Sequence, residues 1–210
     1  MESKNYKDIR TSYEKSQLTK EDLNPNPIIA FKEWFDVAIE SNIAEPNVMT
    51  LSTCNKDGKP SSRIVLLKGI QENGLIFYTN YKSKKGLEIE QNPNVSILFF
   101  WQELQRQVSI QGVIKKNSSE DSDAYFNSRP IESQLGAMAS KQSEILKDRE
   151  ELENKFESIK ELVPSRPVNW GGYIVEPTYF EFWQGRANRL HDRISYEKKE
   201  DSWITNRLSP

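Results

Sequence analysis

The chain has 210 residues, enough for one domain with a sizeable core, and its 29 basic and 31 acidic side chains leave a net charge of -2. So balanced a charge excludes wholesale nucleic-acid binding, which needs a strongly basic domain; any anion site must come from local clustering. One histidine and one cysteine, Cys54, leave no zinc constellation and no internal disulfide; a Ser-His-Asp triad is not excluded by count, but no Gly-x-Ser-x-Gly elbow is present, so hard chemistry would fall to a cofactor.

Met1 to Asn24 is polar and charged without a sustained period and reads as an N-terminal arm, ordered only where something covers it. It is too charged for a signal peptide, and no apolar run reaches the length of a membrane span, so a cytoplasmic protein is expected. Residues 25–210 read as a single domain. Asn26-Pro27 sets a helix start, with Asn as cap and Pro at the first helical position. Ile28, Phe31, Phe35, Ala38 and Ile39 follow at helical spacing and define an expected buried face. Val48 to Cys54 and Ser61 to Ile70 read as strands around Lys56-Asp57-Gly58-Lys59, and Asp-Gly is a strong hairpin signal. Glu72-Asn73-Gly74 turns the chain into a strand from Leu75 to Thr79. Ser83 caps a short helix closed by Pro93, and Asn94 to Trp101 pairs with Gln105 to Lys115.

Ser118 with Asp121 resembles a capping box, opening a helix that stops near Arg129-Pro130. Ser143 is expected to cap a longer helix whose Ile145, Leu152, Phe156, Ile159 and Val163 form an apolar stripe suited to a core or a subunit interface. Strands return from Gly172 to Trp183, Ile194 to Tyr196 and Ser202 to Leu208. The expected fold is α+β, mainly β: one antiparallel barrel decorated by helices.

Several stretches could carry chemistry. Phe182 to Arg193 holds the one histidine, His191, with Arg186, Arg189 and Arg193, and guanidinium groups suit planar recognition of phosphate or carboxylate. Arg63-Ile64-Val65-Leu66-Leu67-Lys68 is a hydrophobic strand with a cation at each end. Strand alternation would send those cations to opposite faces, so they suit two anions or one long ligand. Lys84 and Lys85 lie in the first turn of the helix capped by Ser83, where the macrodipole disfavours cations unless an anion binds there. Tyr125 and Arg129, four apart, share a helix face and Ser133 follows; Gln142 and Ser143 are read at a helix start. No Gly-x-Gly-x-x-Gly and no Walker loop is present, so side chains and helix ends would hold a nucleotide-like ligand.

Eight motifs then occur in order: Arg63-Ile-Val-Leu-Leu-Lys68, Phe77-Tyr78-Thr79-Asn80, Glu103-Leu-Gln-Arg106-Gln107-Val108, Tyr125-Phe-x-Ser128-Arg129-Pro130, Ser140-Lys-Gln-Ser143, Trp170-Gly-Gly172, Phe182-Trp183-Gln184-Gly185 and Arg189-Leu-His191-Asp-Arg193. Together they resemble the pyridoxamine 5'-phosphate oxidase family from about residue 10 to Pro210. The resemblance implies an FMN-binding split β-barrel, a homodimer with FMN between subunits, and oxidation of pyridoxamine or pyridoxine 5'-phosphate by O2 with H2O2 as product. It carries flavin contacts to Arg63, Ile64, Val65, Leu66, Leu67, Lys68, Tyr78, Thr79, Lys85, Gln107, Gln142, Ser143, Trp183 and Arg193. Lys84 stands where the family pattern commonly has Arg, so a bidentate phosphate contact would become a point charge. The resemblance carries substrate contacts to Lys68, Tyr125, Arg129 and Ser133, and to Arg189 and His191, which it makes the catalytic pair; it implies no metal. Arg10 to Tyr13 resembles a segment that covers the substrate. The alternatives from other classes are a non-catalytic split-barrel protein that binds FMN or pyridoxal phosphate, and a flavin reductase using a nicotinamide donor; fold alone does not separate these.

Overall fold

A computed structural model describes residues 6–8 and 11–210; Arg10, where the expected covering segment begins, lies outside the described residues. The elements are α1 (Pro27–Glu40), β1 (Val48–Cys54), β2 (Pro60–Leu66), β3 (Gly69–Gln71), β4 (Gly74–Asn80), α2 (Lys84–Gln91), β5 (Asn94–Trp101), β6 (Arg106–Lys116), α3 (Ser119–Ser128), α4 (Ile131–Ala139), α5 (Arg149–Ile159), β7 (Trp170–Gln184), β8 (Asp192–Lys199) and β9 (Ser202–Leu208). The strands are hydrogen-bonded in the order β2-β1-β5-β6-β7-β4-β3, with β8 on β7 and β9 on β8. Every pairing whose register is described is antiparallel. Among the described residues no helix is long and apolar enough to cross a membrane.

By contacts the described residues form two compact units, one of residues 47–97 and 111–178, the other of the described residues up to 46 with 98–110 and 179–210. In the first, the Asp57-Gly58 hairpin joins β1 to β2 as expected, with Gly58 at φ +80° and Asn55 Oδ1 accepting the backbone N–H groups of Asp57 and Lys59. The single strand expected from Ser61 to Ile70 is broken. β2 pairs with β1 as far as Leu66, the Leu67 N–H goes to Asn47 O, and the Lys68 N–H then goes to Ile76 O of β4. The chain changes partner there, so strand alternation from Arg63 does not extend to Lys68.

Ser83 caps α2 and Ser118 caps α3 by accepting the Gly86 and Asp121 N–H groups, as their spacing predicts. α4 has no counterpart in the periodic pattern; its cap, Pro130, offers no side-chain acceptor. α5 starts later than expected. Ser143 sits at φ +74°, a left-handed turn, and Asp148 caps the helix by accepting the Glu151 N–H while Glu151 returns a carboxylate to Lys147 N. None of its residues is fully buried, and Ile145 and Val163 are 98% and 90% exposed, so the stripe is no core of this unit.

In the second unit, Asn26 caps α1 with Pro27 following. The buried face is Pro27, Ala30, Phe31, Trp34 and Ala38, whereas Ile39 is 51% exposed. Aromatic packing sets that rotation: Phe31 meets Phe99 at 5.0 Å, and Trp34 meets Phe182 edge-on at 5.1 Å. The segment before α1 is held against β8 and β9. Leu18 and Leu23 are buried, Arg207 donates to Leu18 O, Lys20 to Thr205 O, and Tyr196 to Asn24 O.

Candidate active site

The unit of residues 47–97 and 111–178 contains a cavity of about 310 Å³ lined by Ile64, Val65, Leu66, Lys68, Tyr78, Thr79, Lys85, Tyr125, Arg129, Gln142 and Trp170. Among the described residues three cations converge on it and no carboxylate does. Lys85 is 6% exposed on the first turn of α2, its ammonium donating, among the described residues, only to Thr79 Oγ1 (3.3 Å) and Ser83 Oγ (3.4 Å). Burial, and then the charge of Arg63, hold its pKa below the usual lysine value against the pull of Glu88. Arg129 caps α3; burial lowers its pKa, and its Nη1 is buried without a hydrogen-bond partner among the described residues. Buried donors are nearly always satisfied, so an unsatisfied guanidinium nitrogen at a cavity marks a place for an acceptor.

One wall is aromatic. Tyr78 and Tyr125 stack at 3.9 Å, and Trp170 lies parallel to both, 5.7 and 6.2 Å away. Burial, then the charge of Asp121, raise the Tyr78 pKa, so its phenol stays protonated and can donate. The Trp170-Gly171-Gly172 run allows this approach: a Cβ on Gly172 would lie 2.9 Å from Tyr78 Cε1. Gln142 Oε1 accepts from Thr79 Oγ1 (3.2 Å) and Asn80 N (3.4 Å), leaving its amide nitrogen unspent by these contacts.

Other expected residues of this unit lie outside the cavity lining. Arg63 donates to Leu51 O, Thr53 Oγ1 and Ser61 Oγ and pairs with the buried Glu88 at 3.3 Å. Leu67 is core, Lys84 is 67% exposed and pairs with Glu88 at 3.8 Å, and Ser133 is half-buried in the first turn of α4. Ser143 lines a different cavity, beside the start of α5.

The other unit holds a second cluster on the loop between β7 and β8. The Arg186 N–H donates to His191 Nδ1 at 3.1 Å, which puts the imidazole proton on Nε2. Burial, then the neighbouring Arg189 charge, lower the His191 pKa, so it is neutral at pH 7 and offers Nε2–H as a donor. His191 packs 4.6 Å from Trp183, and Tyr13 meets both rings at 6.0 and 5.8 Å. Arg189 is exposed and takes a left-handed backbone, as Asn188 does, at φ +61° and +55°. Asp192 ties the loop down: it accepts Arg186 Nη1 (3.0 Å), the Leu18 N–H (3.1 Å) and Arg207 Nη1 (2.7 Å). Arg193 is bound at both faces of its fork, bidentate to Glu181 (2.8 and 3.0 Å) and to Ser209 O (2.8 Å). Gln107 is half-buried on β6.

Trp170, Glu88, Gln134 and Asp192 were assigned no role by sequence reasoning. The sequence signal for Trp170 was present as an aromatic ahead of two glycines; Glu88 and Asp192 act through partners far away in the chain, and Gln134 through the nearby carbonyls of Asn127 and Arg129.

A family model described as pyridoxamine 5'-phosphate oxidase matches residues 35–162, and one described as the pyridoxine 5'-phosphate oxidase C-terminal dimerisation region matches residues 170–210. Curated proteins named pyridoxine/pyridoxamine 5'-phosphate oxidase are similar over nearly the whole chain. That of Bordetella pertussis is 50% identical across 97% of this chain and 98% of its own, and that of Leptospira biflexa 51% across 96% and 97%. Among solved structures, PhzG from Burkholderia lata 383, in complex with tetrahydrophenazine-1-carboxylic acid, superposes with a TM-score of 0.87 at 32% identity, covering 92% of this chain and 98% of that one.

Proposed function

The chain belongs to the pyridoxamine 5'-phosphate oxidase family, and from that premise we propose how its own residues divide the work of oxidising pyridoxine or pyridoxamine 5'-phosphate to pyridoxal 5'-phosphate. The fold is the family's antiparallel split β-barrel. The working form is a homodimer, the role for which the C-terminal family region is named, with one FMN per subunit at the interface.

The observation that carries the reading is the cavity's charge: Lys68, Lys85 and Arg129 face it with no acid, and one arginine nitrogen is buried and unsatisfied. A doubly anionic ligand is what such a set lacks. Lys85, Thr79, Gln142 and the 64–66 edge hold the flavin, whose phosphate answers the buried ammonium. Arg129, Lys68 and the Tyr125 hydroxyl hold the phosphate of the substrate. FMN held there would supply the two-electron chemistry, hydride acceptance from C4' and reoxidation by dioxygen to hydrogen peroxide. The chain's own part is orientation and charge placement. His191 donates Nε2–H to the substrate, and Arg189 contacts it near the reacting carbon. The amine or hydroxyl gives its proton to water as the hydride leaves, and water hydrolyses the imine formed from the amine.

The test is the visible spectrum of the purified protein, followed by addition of pyridoxine 5'-phosphate without oxygen. A flavin spectrum that bleaches and recovers in air is the expected result. A flavin that stays oxidised refutes the division of roles, and protein that takes up no FMN refutes the cavity as its site.

A further inference from the structure

The structure holds guanidinium groups in two ways. Arg193 gives its edge to Glu181 and to Ser209 O, so each of its three nitrogens already has an acceptor. Arg129 makes no ion pair among the described residues. Its guanidinium lies over the indole of Trp170, Cζ 4.8 Å from the ring centroid, and its Nη1 has no acceptor among those residues. An aromatic face attracts a cation without consuming its in-plane N–H groups, whereas a carboxylate would compete with any incoming phosphate.

The indole is itself braced. Arg166 donates to Trp170 O at 2.8 Å and pairs with Asp123 at 2.5 Å. Asp123 is on α3, as is Tyr125, whose ring lies 6° from parallel to the indole. Gln134 Nε2 holds Arg129 O at 2.8 Å. The brace therefore starts and ends on the helix whose C-cap is Arg129.

We propose that Trp170 is a positioning residue for phosphate recognition: it holds Arg129 by the face so that the guanidinium edge stays free for the substrate phosphate. The inference rests on the reading of Arg129 as the substrate clamp given above.

A double-mutant cycle on the flavin-loaded enzyme tests it. Trp170→Leu raises KM for pyridoxine 5'-phosphate about tenfold, acting through KM with kcat and flavin content held. Trp170→Phe recovers most of that loss. In the R129A background neither change at Trp170 raises KM further, and calorimetric titration with inorganic phosphate follows the same pattern. A fall in kcat at unchanged KM, a Phe variant as poor as the Leu variant, or an equal KM rise in the R129A background overturns the role of Trp170. Should Trp170→Leu fail to fold, the Phe variant carries the cycle: a KM rise of about threefold that vanishes with R129A supports the proposal, and one that persists overturns it. If R129A alone leaves KM unchanged, the clamp reading itself falls, and this inference with it.

Discussion

Replacing Lys85 by methionine should separate folding from flavin binding. In the flavin-free chain the Lys85 ammonium is buried, has two long hydrogen bonds to neutral hydroxyls, and makes no ion pair among the described residues. Such a charge recovers little of its lost hydration, so removing it should leave the flavin-free protein as stable as before or about 1 kcal/mol more stable. One charge-assisted hydrogen bond to a phosphate oxygen contributes about 1.5–3 kcal/mol, so the flavin Kd should rise about 10- to 150-fold. The pH dependence has a sign. Because the folded pKa lies below the ordinary lysine value, the unfolded chain binds more protons between the two, and flavin-free stability rises with pH across that alkaline window. The variant lacks this rise. Quenching of FMN fluorescence by the flavin-free protein gives the Kd, and urea unfolding at several pH values gives the stability. An FMN Kd within about twofold of the parent, or a flavin-free variant less stable by more than about 1 kcal/mol, would refute the idea that this ammonium is held for an anion.

Three further outcomes follow from the same geometry. Glu88→Gln should cost about 2–3 kcal/mol at neutral pH, since Glu88 Oε2 takes hydroxyls from Thr53 and Ser61 at 2.5 Å each and pairs with Arg63. Burial raises its pKa, but those hydrogen bonds and Arg63 outweigh it and bring the net below the usual value. Its contribution is therefore lost as pH falls through the folded pKa, and the deficit of the variant in urea unfolding should shrink there. Gly185→Ala would place a Cβ 2.8 Å from the Tyr13 ring, and should destabilise by about 1–3 kcal/mol and change Trp183 emission as Tyr13 is displaced. Arg189→Ala should lower kcat while flavin remains bound; an unchanged turnover in stopped-flow flavin reduction would remove Arg189 from the reaction.

Local signals carried much of the fold. Caps at Asn26, Ser83 and Ser118 and the Asp57-Gly58 hairpin act within a few residues, so their chemistry is complete in the sequence. What escaped depends on distant partners. The break between Leu66 and Gly69 arises because two different strands accept the chain there, and neither strand is visible from residues 61–70. Ser143 and Asp148 are both acceptable caps by type; the reciprocal Glu151 contact favours the second. Tyr78, Tyr125 and Arg129 were legible as candidate site residues from their motifs and they line one cavity, but the sequence could not show that Arg193 is bound by Glu181 or that Arg129 lies over Trp170.

The carboxylate of Asp192 has a consequence for anyone who would transplant this chemistry. It gathers the backbone at Leu18, the side chain of Arg186 and that of Arg207, so the loop bearing His191 is fastened to segments from both ends of the chain. The loop is therefore not a module. Grafted alone onto another barrel, residues 185–191 would arrive without the arm and the last strand that set their course, and His191 would lose the fixed Arg186 N–H that selects its tautomer. Any such graft has to move three strands of sequence as one part, and circular permutants that separate residue 18 from residue 207 by a new linker should keep the loop only if all three attachments survive.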